Sequence, residues 1–251
     1  MKKRIWIWNH YATNTFIDRA GRHYWFAQNL IKQGYEPTIF CASTIHNSNE
    51  SIDTLNKKFL PDSIDAIPYV FIHTPGYKGN GIKRVANMIS FYKKLFPVAK
   101  EYGKINGKPD VIIASSVHPL TLVAGIKIAK MFKVPCICEV RDLWPESIVT
   151  KLLYKGEKWI YKKADKLIFS IEGGAEYIID NKWDKDQGGP VDIAKVNHIN
   201  NGIDLVAYDR NIEKNPYSDM DIDDPNVFKV VYTGSIRKAN NLGLILDAAK
   251  Y

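Results

Sequence analysis

The chain has 251 residues, 45% hydrophobic and 12% aromatic, with 12 prolines and 16 glycines. That length allows one large domain or two small ones, a core that needs no disulfide or metal staple, and no place among collagen-like, low-complexity or disordered chains. Thirty-five Lys and Arg against 27 Asp and Glu leave a net charge of +8, which suits either an anionic partner or a plain solvated basic surface.

In chain order, the first element is a strand, Arg4–Trp8. The basic Met1-Lys2-Lys3-Arg4 is no signal peptide, because the apolar stretch Ile5–Trp8 is too short, and no run approaches the ~18 apolar residues of a membrane span. A cytoplasmic protein is expected. Arg22–Lys32 reads as a helix with Tyr24, Ala27, Leu30 and Ile31 on one side, ended by Gly34, and Pro37–Ala42 as the next strand. Asn49–Phe59 is a weak helix and Tyr69–His73 a third strand. Lys83–Lys104 carries Val85, Met88, Ile89, Tyr92, Leu95, Phe96 and Ala99 at helical spacing, with Pro97 expected to kink it. Asp110–Ser115 is a near-continuous apolar run, as in a strand buried on both faces. Pro119–Phe132 follows as a helix with Pro at its first position. Strand Pro135–Val140, helix Leu152–Lys163, strand Lys166–Ile171, short helix Gly174–Asn181, polar excursion Asp184–Pro190 and strand Ala194–Ile199 complete the series.

Strand–helix alternation of this kind means an α/β fold, a Rossmann-like doubly wound and mostly parallel sheet, assigned to residues 1–205. Residues 206–226, polar and acidic with Pro216, Asp219, Asp221, Asp223, Asp224 and Pro225, read as a linker. Residues 227–251 give strand Val227–Thr233, a turn at Gly234 and helix Asn241–Lys250. One such unit cannot bury its own apolar faces, so it is expected to open a second Rossmann-like domain, truncated by ~100–150 residues. The three cysteines, Cys41, Cys136 and Cys138, lack framework spacing and point to free thiols in a reducing compartment. Cys136 and Cys138, two apart in a strand, share one face rather than form a redox or zinc pair.

Ligands of open α/β sheets collect at the carboxyl ends of the strands. Those ends carry Asn9-His10-Tyr11, Ser115-Ser116-Val117-His118, Arg141-Asp142, Glu172-Gly173-Gly174 and Asn200-Asn201-Gly202. The loop Asn9–Gly21 has Gly21 alone where a G-x-G-x-x-G turn would be needed, so nicotinamide, flavin and P-loop phosphate sites are not expected. His118, before Pro119 at a helix start, either caps that helix or acts as a neutral hydrogen-bonding group. Arg141-Asp142 is an internal ion pair or a fork for sugar hydroxyls beside the indole of Trp144. Thr233-Gly234-Ser235-Ile236-Arg237-Lys238 lets backbone approach a diphosphate while two cations neutralise it. The basic, aromatic helix Lys83–Lys104 either lies on anionic lipid or packs on the sheet with its lysines in water. No aromatic platform or groove-reading motif points to nucleic acid.

These residues resemble the retaining glycosyltransferases of family 4, enzymes of the GT-B fold with two Rossmann domains, especially bacterial members that build O-antigen, capsule or exopolysaccharide; the chain corresponds to the N-terminal part. Asn9-His10-Tyr11-Ala12, Arg22-His23-Tyr24 and Gly34-Tyr35-Glu36 resemble the acceptor-domain start of a fucosamine-transferase-like subgroup. Val140-Arg141-Asp142-Leu143-Trp144-Pro145-Glu146-Ser147 is the most specific match. Asn201-Gly202-Ile203-Asp204 is similar to the interdomain signature, and Tyr232-Thr233-Gly234-Ser235 with Ala248-Ala249 to the opening of the donor domain.

The resemblance implies His118 and Asp142 as catalytic, with His118 touching the transferred sugar. It implies Gly234, Ser235, Arg237, Lys238, Asn201 and Gly202 on the donor, and Asn9, His10, Gly21, Arg22, His23 and Arg141 on the acceptor. Arg141 stands where histidine is usual, and Ser235 where arginine is. The Glu-x7-Glu element that grips the donor has no counterpart before the chain ends, so this fragment alone is expected to be inactive. The implied reaction moves a hexosyl or N-acetylhexosaminyl group from a nucleotide-sugar to a lipid-linked or glycan acceptor, without metal or cofactor, at the cytoplasmic face of the inner membrane. A nucleotide-sugar 2-epimerase of the same fold and a non-catalytic acceptor-binding module are the alternatives.

Overall fold

Tryptophan and isoleucine alternate along the first strand, β1 (Arg4–Trp8), so a two-residue period sends the indoles of Trp6 and Trp8 to one face of the sheet and Ile5 and Ile7 to the other. The computed structural model describes the chain except for residues 1, 47, 49, 80, 144–149, 235, 237–239 and 251. The further strands are β2 (Glu36–Ala42), β3 (Phe59–Ile64), β4 (Ile67–Ile72), β5 (Val111–Ser115), β6 (Cys136–Val140), β7 (Lys166–Phe169) and β8 (Val196–His198). They form one eight-stranded sheet in the order β3-β4-β2-β1-β5-β6-β7-β8. Every neighbouring pair is parallel except β3–β4. This is the expected doubly wound α/β fold, and the strand order reverses between β1 and β5.

Each face has its own core. On one, Ile5, Ile7, Ile39, Cys41, Tyr69 and Phe71 pack with Tyr24 and Ala27 of α2 (Arg22–Lys32), the second helix after the short α1 (Thr13–Asp18). On the other, Trp6, Trp8, Phe40 and Ile112 meet Phe91, Leu95, Val98 and Ala99 of α3 (Ile82–Asn106), and Leu122 and Ile128 of α4 (Pro119–Phe132). Burying each of these large side chains is worth about 1.5–3 kcal/mol before ordering costs. Gly125 of α4 sits so near the sheet that an added Cβ would lie 2.5 Å from Ala114 Cβ. The helix therefore rides directly on β5 and delivers its N-cap, His118, to that strand's tip. Two further helices, α5 (Thr150–Lys163) and α6 (Gly174–Asp180), serve the β6–β8 side. Cys136 and Cys138 share a face as free thiols with sulfurs 3.9 Å apart.

Several elements differ from expectation. The weak helix Asn49–Phe59 is absent: Leu55 and Asn56 have φ of 52° and 58°, and Asp53 Oδ1 accepts the Leu55 amide at 2.8 Å, an Asx turn that competes with helix. In its place β3 forms an antiparallel hairpin with β4, closed by Asp65 and Ala66 at φ 49° and 64°. Pro61 is tolerated because β3 is an edge strand. The loop after β1 contains α1. The helix that carries Pro97 is longer than expected, running from Ile82 to Asn106.

The chain divides into two compact units, Met1–Ile203 and Asp204–Tyr251. In the second, α7 (Leu205–Lys214), capped by Asp204 Oδ1 on the Ala207 amide at 3.0 Å, and α8 (Met220–Asp223) occupy the stretch expected as a linker. Helix α9 (Gly243–Ala248) is shorter than the expected Asn241–Lys250. Val227–Thr233 is not a strand. A strand requires a ladder partner, and no described residue of this unit supplies one; Phe228 is 92% exposed.

Candidate active site

The reversal of strand order between β1 and β5 places the crevice of such a sheet over their carboxyl tips. Two polar clusters lie there side by side.

The first is built on Glu139, fully buried in β6. Arg22 Nε donates to its Oε1 at 2.7 Å, His23 Nε2 lies 3.0 Å from Oε2, and Ser115 Oγ donates to Oε2 at 2.5 Å. Asn9 Nδ2 in turn donates to Ser115 Oγ at 3.1 Å, and Asn9 Oδ1 accepts the Tyr11 amide. Burial alone would raise the Glu139 carboxyl, but the His23 contact, the Ser115 hydroxyl and the Arg22 charge outweigh it and hold it well below the usual carboxylate range. The remaining guanidinium donors of Arg22 go to Asn200 O at 2.7 Å, Ile199 O at 2.7 Å and Asn201 Oδ1 at 3.3 Å. Gly21, at φ 103°, turns the chain into α2 so that Arg22 and His23 fall on its first turn and face β6.

The second cluster joins the tips of β1 and β5. His10 Nδ1 lies 2.6 Å from His118 Nε2, the two rings nearly perpendicular at 84°. Phe91 stacks on His10 at 4.3 Å. Burial, then the neighbouring His118, holds His10 well below the ordinary imidazole value. His118 is lowered to about 3 by burial and by the Arg84 charge. Both rings are therefore neutral at pH 7. Around them, Arg84 Nε donates to Tyr11 OH at 3.1 Å, and His46 Nδ1 lies 2.7 Å from Tyr77 OH.

Among the other residues expected in the site, Arg141 is half-buried and its amide donates to Ser116 Oγ at 2.9 Å. Asp142 is exposed, makes no hydrogen bond to His118, and lines an apolar cavity of about 170 Å³ with Pro119, Leu120, Val140 and Ile160. Asn201 and Gly202 are exposed at the loop that Arg22 holds. Gly234 lies in the second unit beside Tyr232, whose hydroxyl accepts from Asn240 Nδ2 at 2.8 Å. Ser235, Arg237 and Lys238, and Trp144 to Ser147 of the most specific motif, fall outside the described residues. Sequence reasoning missed Glu139, Asn87 and Arg84. The one signal for Glu139 was a carboxylate inside a strand otherwise apolar enough to be buried on both faces. Among the described residues no group of three His, Cys, Asp or Glu is placed to hold a metal ion, and no helix is long and apolar enough to cross a membrane.

A parallel sheet wound on both faces, with polar groups converging where its strand order reverses, is the ligand-binding architecture of α/β domains. The chain belongs to Glycosyltransferase Family 4, whose model matches residues 24–206. Among solved structures, the chain is similar to the α,α-trehalose 6-phosphate synthase of Burkholderia multivorans, with 12% identity over 81% of this chain and 49% of that one, at a TM-score of 0.49. It is also similar to a putative UDP-N-acetylglucosamine 2-epimerase of Listeria monocytogenes, with 10% identity over 78% of this chain and 44% of that one, at a TM-score of 0.44. The chain thus spans about half the length of these structures. No curated protein matches it in sequence.

Proposed function

We propose that this chain is the acceptor-side part of a retaining glycosyltransferase that moves a sugar from a nucleotide-sugar to a hydroxyl of a lipid-linked or glycan acceptor. The observation that carries this reading is the neutral, buried His118 at the switch point of a sheet in this family. In the proposed reaction the leaving diphosphate takes the proton of the incoming hydroxyl on the same face of the sugar, so no protein nucleophile is required. The work of the protein is then to steady charge on the leaving group, a role for the Gly234 amide and for Arg237 and Lys238, with Ser235, Asn201 and Gly202 beside the donor. His118 orients the transferred sugar, and Asp142 and Arg141 serve the rim. Asn9, His10, Gly21, Arg22 and His23 shape the acceptor wall, largely from beneath. No metal enters the scheme.

The test is transfer from nucleotide-sugars by the full-length protein. His118→Ala should lower kcat/KM by about 10²–10³ with the fold intact, and chelator should leave transfer unchanged. Wild-type turnover by the variant removes His118 from the reaction, and turnover without any acceptor favours a 2-epimerase.

We also place the protein against anionic lipid in a bacterial surface-polysaccharide role. Phe91, Leu95 and Val98 of α3 are core, but Ile82, Val85 and Ile89 are 87%, 51% and 39% exposed beside Lys83 and Lys93. Lys94 is engaged with His73 O at 2.8 Å and is not part of that face. Charge reversal at Lys83 and Lys93 should abolish most co-sedimentation with anionic vesicles; unchanged sedimentation refutes the lipid-facing role.

A further inference from the structure

Among the buried polar atoms that make no close hydrogen bond within the described residues are Asn87 Oδ1, His10 Nε2 and His118 Nδ1. Their order along the second cluster decides where its protons lie. Asn87 is fixed first. Its Nδ2 donates to Thr44 Oγ1 at 3.1 Å and to Pro75 O at 2.6 Å. Flipping the amide would set Oδ1 against the carbonyl oxygen of Pro75, two acceptors in contact, so the flip is excluded. The amide oxygen therefore has one direction available.

That direction is toward His10. Asn87 lies one helical turn before Phe91 on α3. Phe91 covers the flat face of the His10 ring, and Asn87 meets its edge, where it favours a proton on the imidazole. Because Nδ1 of His10 is taken up by His118, the nitrogen left for Asn87 is Nε2. A lone pair there would oppose the lone pairs of the amide oxygen, whereas an N–H points at an acceptor. A neutral His10 with its proton on Nε2 has a bare Nδ1, which must accept. The proton in the 2.6 Å contact then belongs to His118 Nε2, and a neutral His118 with that proton has a bare Nδ1.

The geometry points to Asn87 and His10 as positioning residues that hold His118 in its Nε2–H tautomer, so that His118 Nδ1 is a hydrogen-bond acceptor for a substrate hydroxyl. This rests on the reading of His118 as the residue that orients the transferred sugar. It deepens that reading by naming the ligand chemistry. A bare imidazole nitrogen takes a hydroxyl proton and repels a carboxylate or phosphate oxygen, so the group met there is a neutral sugar hydroxyl. Asn87 was assigned no role by its sequence context, and His10 acts through His118 rather than on substrate.

The test reads the protons directly by ¹⁵N-histidine NMR of this chain at pH 7.5, with His10→Phe and His118→Leu spectra for assignment. In wild type both rings should show a protonated Nε2 and a far-downfield, unprotonated Nδ1. Asn87→Leu, with its fold checked by thermal unfolding, should shift the His118 resonances toward a mixture of tautomers. A proton on His118 Nδ1 in the wild-type spectrum overturns the proposal, whether or not any variant folds, as does an unchanged pattern in folded Asn87→Leu. The measurement needs no donor, so it is separable from the transferase reading. In the full-length protein, a correct tautomer with no sugar transfer sinks only the function, whereas transfer with Nδ1 protonated sinks only the relay.

Discussion

The two clusters at the strand tips lie on neighbouring strands and are built from similar residue types, yet they are finished differently. Around Glu139 each donor meets an acceptor: one carboxylate takes bonds from Arg22, His23 and Ser115, and the guanidinium spends its other donors on Ile199, Asn200 and Asn201. Between His10 and His118 one short contact is made, and His118 Nδ1 has no hydrogen-bond partner among the described residues. A saturated buried network has nothing left to offer a ligand and serves to hold backbone in place. An unsaturated buried group costs stability, a cost that fits a site shaped for something it binds. The contrast separates scaffold from candidate site without reference to any relative.

The contrast breaks most severely at Glu139. Glu139→Ala strands the buried Arg22 charge and should cost about 3–5 kcal/mol in denaturant unfolding. A cost near zero would mean that the network is not the scaffold. Arg22→Lys keeps the charge but loses the planar fork, and should cost about 1–3 kcal/mol, with faster amide exchange in the segment 199–201. His118→Leu removes one buried nitrogen but leaves His10 Nδ1 without its donor, and should cost about 1–2 kcal/mol.

Acid unfolding sharpens the same comparison. The histidine pair is depressed from 6.5, His118 to about 3. The unfolded chain therefore takes up protons first, and stability begins to fall as pH drops below about 6.5. The carboxyl of Glu139 is held below its unfolded value, so its contribution is complete above about pH 4.3 and is lost only below that. Two acid limbs should appear in a pH series of unfolding midpoints. His10→Phe combined with His118→Leu should flatten the upper limb, and Glu139→Gln the lower. Arg84 and His46 face the pair and favour its neutral form, so neutralising Arg84 should raise the folded-state values toward 6.5 and make the upper limb shallower with its onset unchanged, the smallest of these effects.

Much of this was legible in the residue order. The alternation of Trp6 and Trp8 with Ile5 and Ile7, the apolar run of β5 and the proline opening α4 each carry a periodicity or a terminal signal that packing then obeys. The hairpin of β3 and β4 was not legible, because its turn uses Asp65-Ala66 rather than glycine, held from outside by Tyr24 OH on Asp65 at 2.6 Å. The site was legible at the strand tips, where His10 and His118 stand, but the partners that define it come from farther away. Glu139 lies inside a strand, and Asn87 sits on a helix whose pattern speaks of lysines and apolar residues. Residues 22 and 23 look like acceptor ligands in a motif, but pairing across more than a hundred residues commits them to Glu139.

Gly125 touches neither imidazole, yet it acts as the shim that sets their separation. With no methyl between α4 and Ala114, the helix is seated hard against the strand. Any bulkier residue at that position would jack up the helix and draw the His118 ring away from its neighbour. The tolerance of the histidine corner is thus machined on the far side of a helical turn, where a survey confined to the two imidazoles and their neighbours would never look.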